Sequence, residues 1–396
     1  MLAVFTDELR RIFSLRPVFS TLVLAAAVYA VFYPQPYINE ALRDVPIALV
    51  DLDGTTSSRE LARRVDATSD AAIAMVLADL PTAQRAVYER AVSGVLVIPQ
   101  YFERDLLHGR QSPIALYADA SYFLIYQRVA GAVSAVARAL GAEIETKRLI
   151  GLGVDPALAV AAADPLILTA VPLFNPQGGY ATYILPAAFI LILQQTLLIG
   201  VGLLGTLPRA NDPARESRGP FATVAGKLMA YLALEAMIVP VYVIALPYVY
   251  GVPRLGSVAT ILVFALPFVL AVGALGLLVA AALRRPLAVQ LVFAAVALPF
   301  FFLAGFAWPS EAIPEPIRLV GTLLPSTSAI DGLVRIGQLG ASLADVRGQF
   351  LTLCGLAAFY AWVAMLIEAR NAARSHAHVQ LPASPACEAS TSPARQ

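Results

Sequence analysis

The chain has 396 residues, 59% of them hydrophobic and 14% charged, with a formal net charge of +1 and a mean hydropathy of +0.72. Soluble domains carry roughly 25% charged residues, so this composition excludes a water-soluble globule and points to spanning helices in a membrane. The net charge says nothing about nucleic acid, but no basic run of the kind that tracks a phosphate backbone appears, and having only the lysines Lys147 and Lys227 excludes any mechanism that needs several.

Residues 1–16 set Phe5, Leu9, Ile12 and Phe13 on one helical face and Asp7, Arg10, Arg11 and Ser14 on the other, the pattern of a short interfacial helix. Residues 17–39 carry no charge and are long enough to cross about 30 Å of hydrocarbon. A cleaved signal peptide with its small-residue site at Val28–Ala30 is the competing reading, although the apolar run continues past that site. Under either reading, residues 45–150 are carried across the membrane.

From 45 to 150 the periodicity changes. Short apolar runs at 46–53, 71–78, 94–99 and 113–119 read as strands. Helical stretches lie between them, one opened by the capping-box pattern Ser57–Glu60 with Leu61 and Val65 inward. A longer helix from Ser121 to about Ile150 puts Tyr122, Ile125, Val129, Val133, Val136, Leu140 and Ile144 on one stripe. This alternation predicts a small α/β domain.

Further spans are expected from Tyr180 to Leu207, Thr223 to Tyr250, Ser257 to Leu283, Leu287 to Trp308 and Gly348 to Ile367, so that 180–374 holds spans two to six. The tail 375–396, rich in Pro, Ser and Ala, reads as disordered; its His376 and His378 are tail histidines before they are a metal site. Cys354 lies in an apolar run and Cys387 in that tail, and neither is in a CxxC pair. Leaving aside the α/β domain and Arg43 at its entry, twelve Arg or Lys fall on the N-terminal side and only Arg254, Arg318, Arg335 and Arg347 on the other. Both termini are therefore expected in the cytoplasm and the α/β domain outside it.

Between spans five and six, Pro309, Pro314 and Pro316 cannot sit within one helix. The chain is expected to leave the membrane at Trp308–Pro309, form short helices and return, with Pro325 opening the second: a re-entrant segment over 309–336. Leu303-Ala-Gly305-Phe306 running into Pro309, then Ile313-Pro314, Leu324-Pro325 and Asp331-Gly-Leu-Val-Arg335 with Gly337, resembles the corresponding region of type-2 ATP-binding-cassette (ABC) exporter permeases, as does Gly251-Val-Pro253-Arg-Leu-Gly256-Ser257. The resemblance implies a membrane all-α fold: six transmembrane helices, a re-entrant helical hairpin before the last, and an inserted extracytoplasmic α/β domain. It implies a permease subunit moving a small molecule, lipid or glycan out of the cytoplasm across a bacterial inner membrane. The implied partners are cytoplasmic ABC ATPase subunits, a second permease copy or a close homologue of it, a periplasmic adaptor and the lipid bilayer, with ATP and Mg on the ATPase and no cofactor on this chain. Gly305, Phe306, Trp308, Pro309, Pro314 and Pro325 would form the outer gate. Arg10 and Arg11, with Arg215, Glu216 and Arg218 of the loop after span two, would form the ATPase-coupling surface, although that loop lacks the Gly-Thr-x-Glu string of many members.

Two alternatives stand beside this reading. Asp51-Leu-Asp53-Gly54-Thr55 matches the nucleophile motif of haloacid-dehalogenase-type phosphatases, where one Asp attacks phosphorus and magnesium is held by both. Such enzymes need a later Lys and an acidic pair; only Lys147 and an isolated Asp119 are present, and turn and cap chemistry accounts for the same residues. The permease family also carries strings resembling VDLDxSxxSR, which Asp51, Asp53, Ser57, Ser58 and Arg59 nearly reproduce. The other alternative is a non-transporting envelope membrane protein. Lys227 after Gly226 is no phosphate loop, since Phe221 and Leu228 occupy positions that need Gly and Ser or Thr. Glu235, an acid well inside a span, is either a proton or cation site or a hydrogen-bonding partner of Gln194, Gln195 or Gln290 on a neighbouring span.

Overall fold

The structure, a computed structural model, describes residues 1–39, 42–166, 168, 170–176, 178–208, 219–308 and 310–379. It divides into two compact units: Met1–Ile38 with Tyr180–Gln396, and Asn39–Gly179.

Helix α1 covers Leu2–Ser14 and buries Val4, Glu8 and Ile12, one face at i, i+4, i+8 spacing. Of the apolar face read from the sequence only Ile12 is fully buried, and Phe13 stays 55% exposed, as an interfacial helix requires. Pro17 cannot donate the next hydrogen bond of α1, and it sits harmlessly in the first turn of α2, Arg16–Tyr37, which includes a π-helical turn at Ser20–Leu24.

The second unit carries a sheet of order β2-β1-β3-β4, formed by β1 (Val45–Asp51), β2 (Ala71–Val76), β3 (Gly94–Ile98) and β4 (Ala115–Ala118). β1 pairs parallel with β2 and β3, and β4 closes the edge antiparallel to β3. The crossovers are α3 (Thr56–Asp66) and α4 (Leu80–Tyr88). After them come α5 (Phe102–Leu107), α6 (Phe123–Gly151) and α7 (Pro156–Ala163). Ile47 and Leu49 of β1 face a core made with Leu61, Val65, Val129, Val133 and Leu140, while Ala48 and Val50 face a smaller one with Ala83 and Ala86. Being covered on both faces is why β1 reads as an unbroken apolar run. Two details differ from the sequence reading. The α3 cap is Thr55, whose hydroxyl accepts from the Ser58 amide at 3.3 Å, while Glu60 is drawn off to Arg63 and Arg64. The compact unit also extends past 150, through α7 to Gly179.

The remaining helices belong to the first unit: α8 (Tyr180–Thr206), α9 (Pro220–Val249), α10 (Val258–Leu283), α11 (Pro286–Leu303), α12 (Glu315–Gly321), α13 (Pro325–Leu339) and α14 (Arg347–Val379). With α2, the helices α8, α9, α10, α11 and α14 are long and apolar enough to cross a membrane. α8 is the axis, with 83% of its apolar window buried, against 61% for α10 and 11% for α11. Close approach of α8 to α10 depends on small residues: a Cβ on Gly276 would stand 2.8 Å from Val201, and one on Gly205 2.5 Å from Ala280. Two sequence boundaries are corrected. α11 stops at Leu303 rather than Trp308 because Gly305, at φ +80°, turns the chain. α14 continues beyond Ile367 to Val379, into the stretch read as disordered, because no Pro or Gly interrupts it there.

Candidate functional site

Three places in the helical unit bring polar side chains together. The first is the end where α1 packs on α9. Glu8, 1% exposed, accepts the Tyr231 hydroxyl at 2.7 Å. Arg11 points its Nη2 at the carbonyls of Leu204, Leu207 and Pro208, at 3.3 to 3.4 Å. A guanidinium there satisfies carbonyls that the end of a helix leaves orphaned and complements its dipole. Lys227 of α9 faces Glu368 of α14 at 3.7 Å. Of the coupling residues named from the sequence, Arg10 is exposed and Arg11 is largely committed to α8. Arg215, Glu216 and Arg218 lie outside the described residues. Glu8 and Tyr231 were missed by sequence reasoning. The i, i+4, i+8 spacing of Val4, Glu8 and Ile12 was the signal that an acid sat on the packed face.

The second place is mid-span. Gln194 makes a reciprocal pair with Ser326: its Nε2 donates to Ser326 Oγ at 2.9 Å and its Oε1 accepts the Ser326 amide at 2.7 Å. Ser326 is in the first turn of α13, where amides lack intrahelical partners, so Gln194 caps α13 from the neighbouring span. Gln195 and Gln290 line a groove of about 520 Å³ between α2, α8 and α11, with Tyr29, Tyr33, Thr196 and Phe301. Gln195 Oε1 makes no hydrogen bond among the described residues. Glu235 is 2% exposed, and its Oε2 makes none among these residues either. The structure thus gives Gln194 to Ser326 and leaves Glu235 unjoined to the glutamines.

The third place is the opposite end of α8, around the turn after α11. Gly305 and Phe306 line a cavity of about 540 Å³ with Tyr183, Arg318, Asp331, Arg335, Gln338, Gln349 and others. The Tyr183 hydroxyl donates to the Phe306 carbonyl, and the Phe306 ring packs edge-on against Phe301 at 4.9 Å. Phe306 is therefore buried, 7% exposed, while Trp308 is 57% exposed. Pro314 caps the start of α12, and Pro325 is the first residue of α13. Neither lines the cavity. Pro309 lies outside the described residues.

In the other unit the aspartates of the DxDGT string are engaged locally. Asp51 Oδ1 accepts the amides of Asp53 and Gly54, and its Oδ2 accepts the Ser58 hydroxyl at 2.7 Å. Asp53 accepts the Thr55 hydroxyl at 2.5 Å and the Glu103 amide at 3.1 Å. Desolvation pushes the Asp53 carboxyl up, but these bonds outweigh it and hold the group below its ordinary value. Such a turn accounts for Asp51, Asp53, Gly54, Thr55 and Ser58 without chemistry.

A family model described as ABC-2 family transporter protein matches residues 17–366 of the chain. No curated protein and no solved structure matches it.

Proposed function

The chain belongs to the ABC-2 family of transporter proteins and is a multi-pass permease subunit of an ABC transporter, and from that premise we propose that it exports its cargo, with two copies forming the pathway. The family match over 17–366 is the observation that supports this reading, since it ties most of the chain to the membrane component of a transporter. The groove between α2, α8 and α11 supports the rest. Gln195 and Gln290 are polar groups on membrane-spanning helices, and the Gln195 carbonyl oxygen lacks a partner among the described residues. An unsatisfied amide in hydrocarbon is costly, and a second copy, cargo or water in the groove would relieve it.

In this reading the chain sits in a bacterial inner membrane with both termini cytoplasmic and residues 45–150 outside. The α12–α13 pair forms the re-entrant outer gate, with Gly305 and Phe306 as its turn. ATP and Mg are bound by the partner, and this chain binds no cofactor. The coupling surface is Arg10 with the loop Arg215, Glu216 and Arg218, backed by the Glu8–Tyr231 and Lys227–Glu368 contacts that join α1, α9 and α14. Nucleotide-driven closure of the ATPase moves these helices only if the two arrangements bind it with different free energy.

The test is purification from native membranes in mild detergent. A Walker-type ATPase should co-elute, and replacing 209–218 by a Gly/Ser segment should abolish co-elution. A chain that elutes alone and leaves efflux unchanged when deleted would instead favour the non-transporting alternative.

A further inference from the structure

We propose that the cavity between the Gly305 turn, α12, α13 and α14 is a binding site for an anionic group, a phosphate or carboxylate carried on a larger organic molecule. The site stands apart from the α2–α8–α11 groove and does not depend on the export direction.

The charge count is the first argument. Three charged side chains line the cavity, Arg318, Asp331 and Arg335, leaving an excess of one positive charge. The second is that the cations are not used up. Arg318 makes no hydrogen bond or ion pair among the described residues, although Glu315 lies one turn before it on α12. Arg335 donates to the Asp345 carbonyl at 3.2 Å, but its Nη1 is 3.8 Å from Asp331 Oδ2, too far for a hydrogen bond. That same Asp331 oxygen already accepts Gln349 Nε2 at 2.5 Å. Asp331 is thus hydrogen-bonded by an amide and ion-paired with Arg335 without a hydrogen bond, so the two guanidinium forks keep donors to spare. Forked donors of this kind recognise carboxylate and phosphate oxygens.

The remaining wall sets the rest of the ligand. Tyr183, Thr327, Ser328 and Thr352 add hydroxyls, while Ala187, Ala304, Phe306, Ile330 and Val334 supply an apolar side. About 540 Å³ is the size of an ordinary ligand pocket. It is far more than a bare inorganic ion fills, so an anionic group with part of the molecule that carries it fits better. The anion has two available sources, a membrane lipid headgroup or a soluble phosphate or carboxylate compound.

The experiment is thermal unfolding of the purified full chain in maltoside detergent, titrated with short-chain phosphatidylglycerol, a glucosyl diacylglycerol of the same chain length, and inorganic phosphate. Phosphatidylglycerol should raise Tm saturably and the uncharged glycolipid should not. Arg318→Gln and Arg335→Gln should each raise the half-saturating concentration about ten-fold or more. Arg318→Lys should lie between, and Arg347→Gln, an arginine outside the cavity, should match the wild type. Saturation by inorganic phosphate in competition with the lipid would assign the anion to a soluble source, and saturation by the lipid alone to a headgroup. Equal responses to charged and uncharged lipid, or unchanged half-saturation in both Gln variants, would overturn the site. Because Arg318 is exposed and unpaired, its substitution does not threaten folding, so a null result there is a true one.

Discussion

Arg10 and Arg11 are adjacent in sequence and both basic, yet their surroundings give them different work. Arg11 reaches three carbonyls at the end of α8, so Arg11→Ala should lower stability by about 1.5–3 kcal/mol, the range for hydrogen bonds to a charged group. It would be read as a drop in detergent Tm. Arg10 is exposed, and Arg10→Ala should leave Tm in place while weakening ATPase coupling. The two neighbouring glutamines divide in the same way. Gln194→Leu removes both bonds to Ser326 and strands a buried amide in the first turn of α13, at a cost of about 1–3 kcal/mol. Gln195 faces the groove with a carbonyl oxygen that has no partner, so Gln195→Leu should be neutral or slightly stabilising, and its loss should appear in transport. Equal Tm losses for the two leucine variants would remove the distinction between a cap and a pathway residue.

Elements were legible in the sequence wherever one force dominated. Charge-free runs marked the spans, and short apolar runs marked β1 to β4 within a few residues, because burial of apolar surface sets both patterns. What escaped was decided by single tertiary contacts. Nothing in Ser57–Glu60 says that Thr55 takes the cap while Glu60 turns to Arg63 and Arg64. Nor does the pattern of Gln194, Gln195 and Glu235 say which polar group on α13 one of them meets. Long-range ion pairs were equally hidden. Glu143 of α6 holds Lys147 on its own helix and Arg64 of α3, each at 2.7 Å. The bond from Lys147 and then that from Arg64 lower the Glu143 carboxyl to about 2. A depressed carboxylate stabilises the fold above its unfolded pKa of roughly 4.3 and ceases to do so as pH falls from there towards about 2. Hydrogen-exchange protection of α3 and α6, corrected for intrinsic rates, should therefore weaken between pH 5 and pH 3 in the wild type. Glu143→Gln should begin weaker at pH 6 and lose less across that interval.

At the scale of the molecule, the question is what covers α11. Its apolar window is 11% buried within one chain, while α8 reaches 83%, and only Val289 and Phe293 of it are buried. Hydrocarbon would cover such a helix as well as protein would, so apolar exposure alone does not call for a partner. The polar content of the adjoining groove does: Gln290 and the unpartnered Gln195 oxygen gain more from protein, cargo or water than from lipid. α9 offers the contrast, because its Met237 is 74% exposed and is a side chain that lipid covers at no cost. With Cys354 and Cys387 replaced by Ser, Ala297→Cys in the groove should give a disulfide-linked dimer in oxidised native membranes, and Met237→Cys should not. Resting and vanadate-trapped complexes should differ in the yield of the Ala297 cross-link, since a pathway between copies has to change width as it works. Efficient cross-linking at Met237 with none at Ala297 would move the interface to α9 and leave Gln195 and Gln290 facing lipid, a placement their polarity argues against.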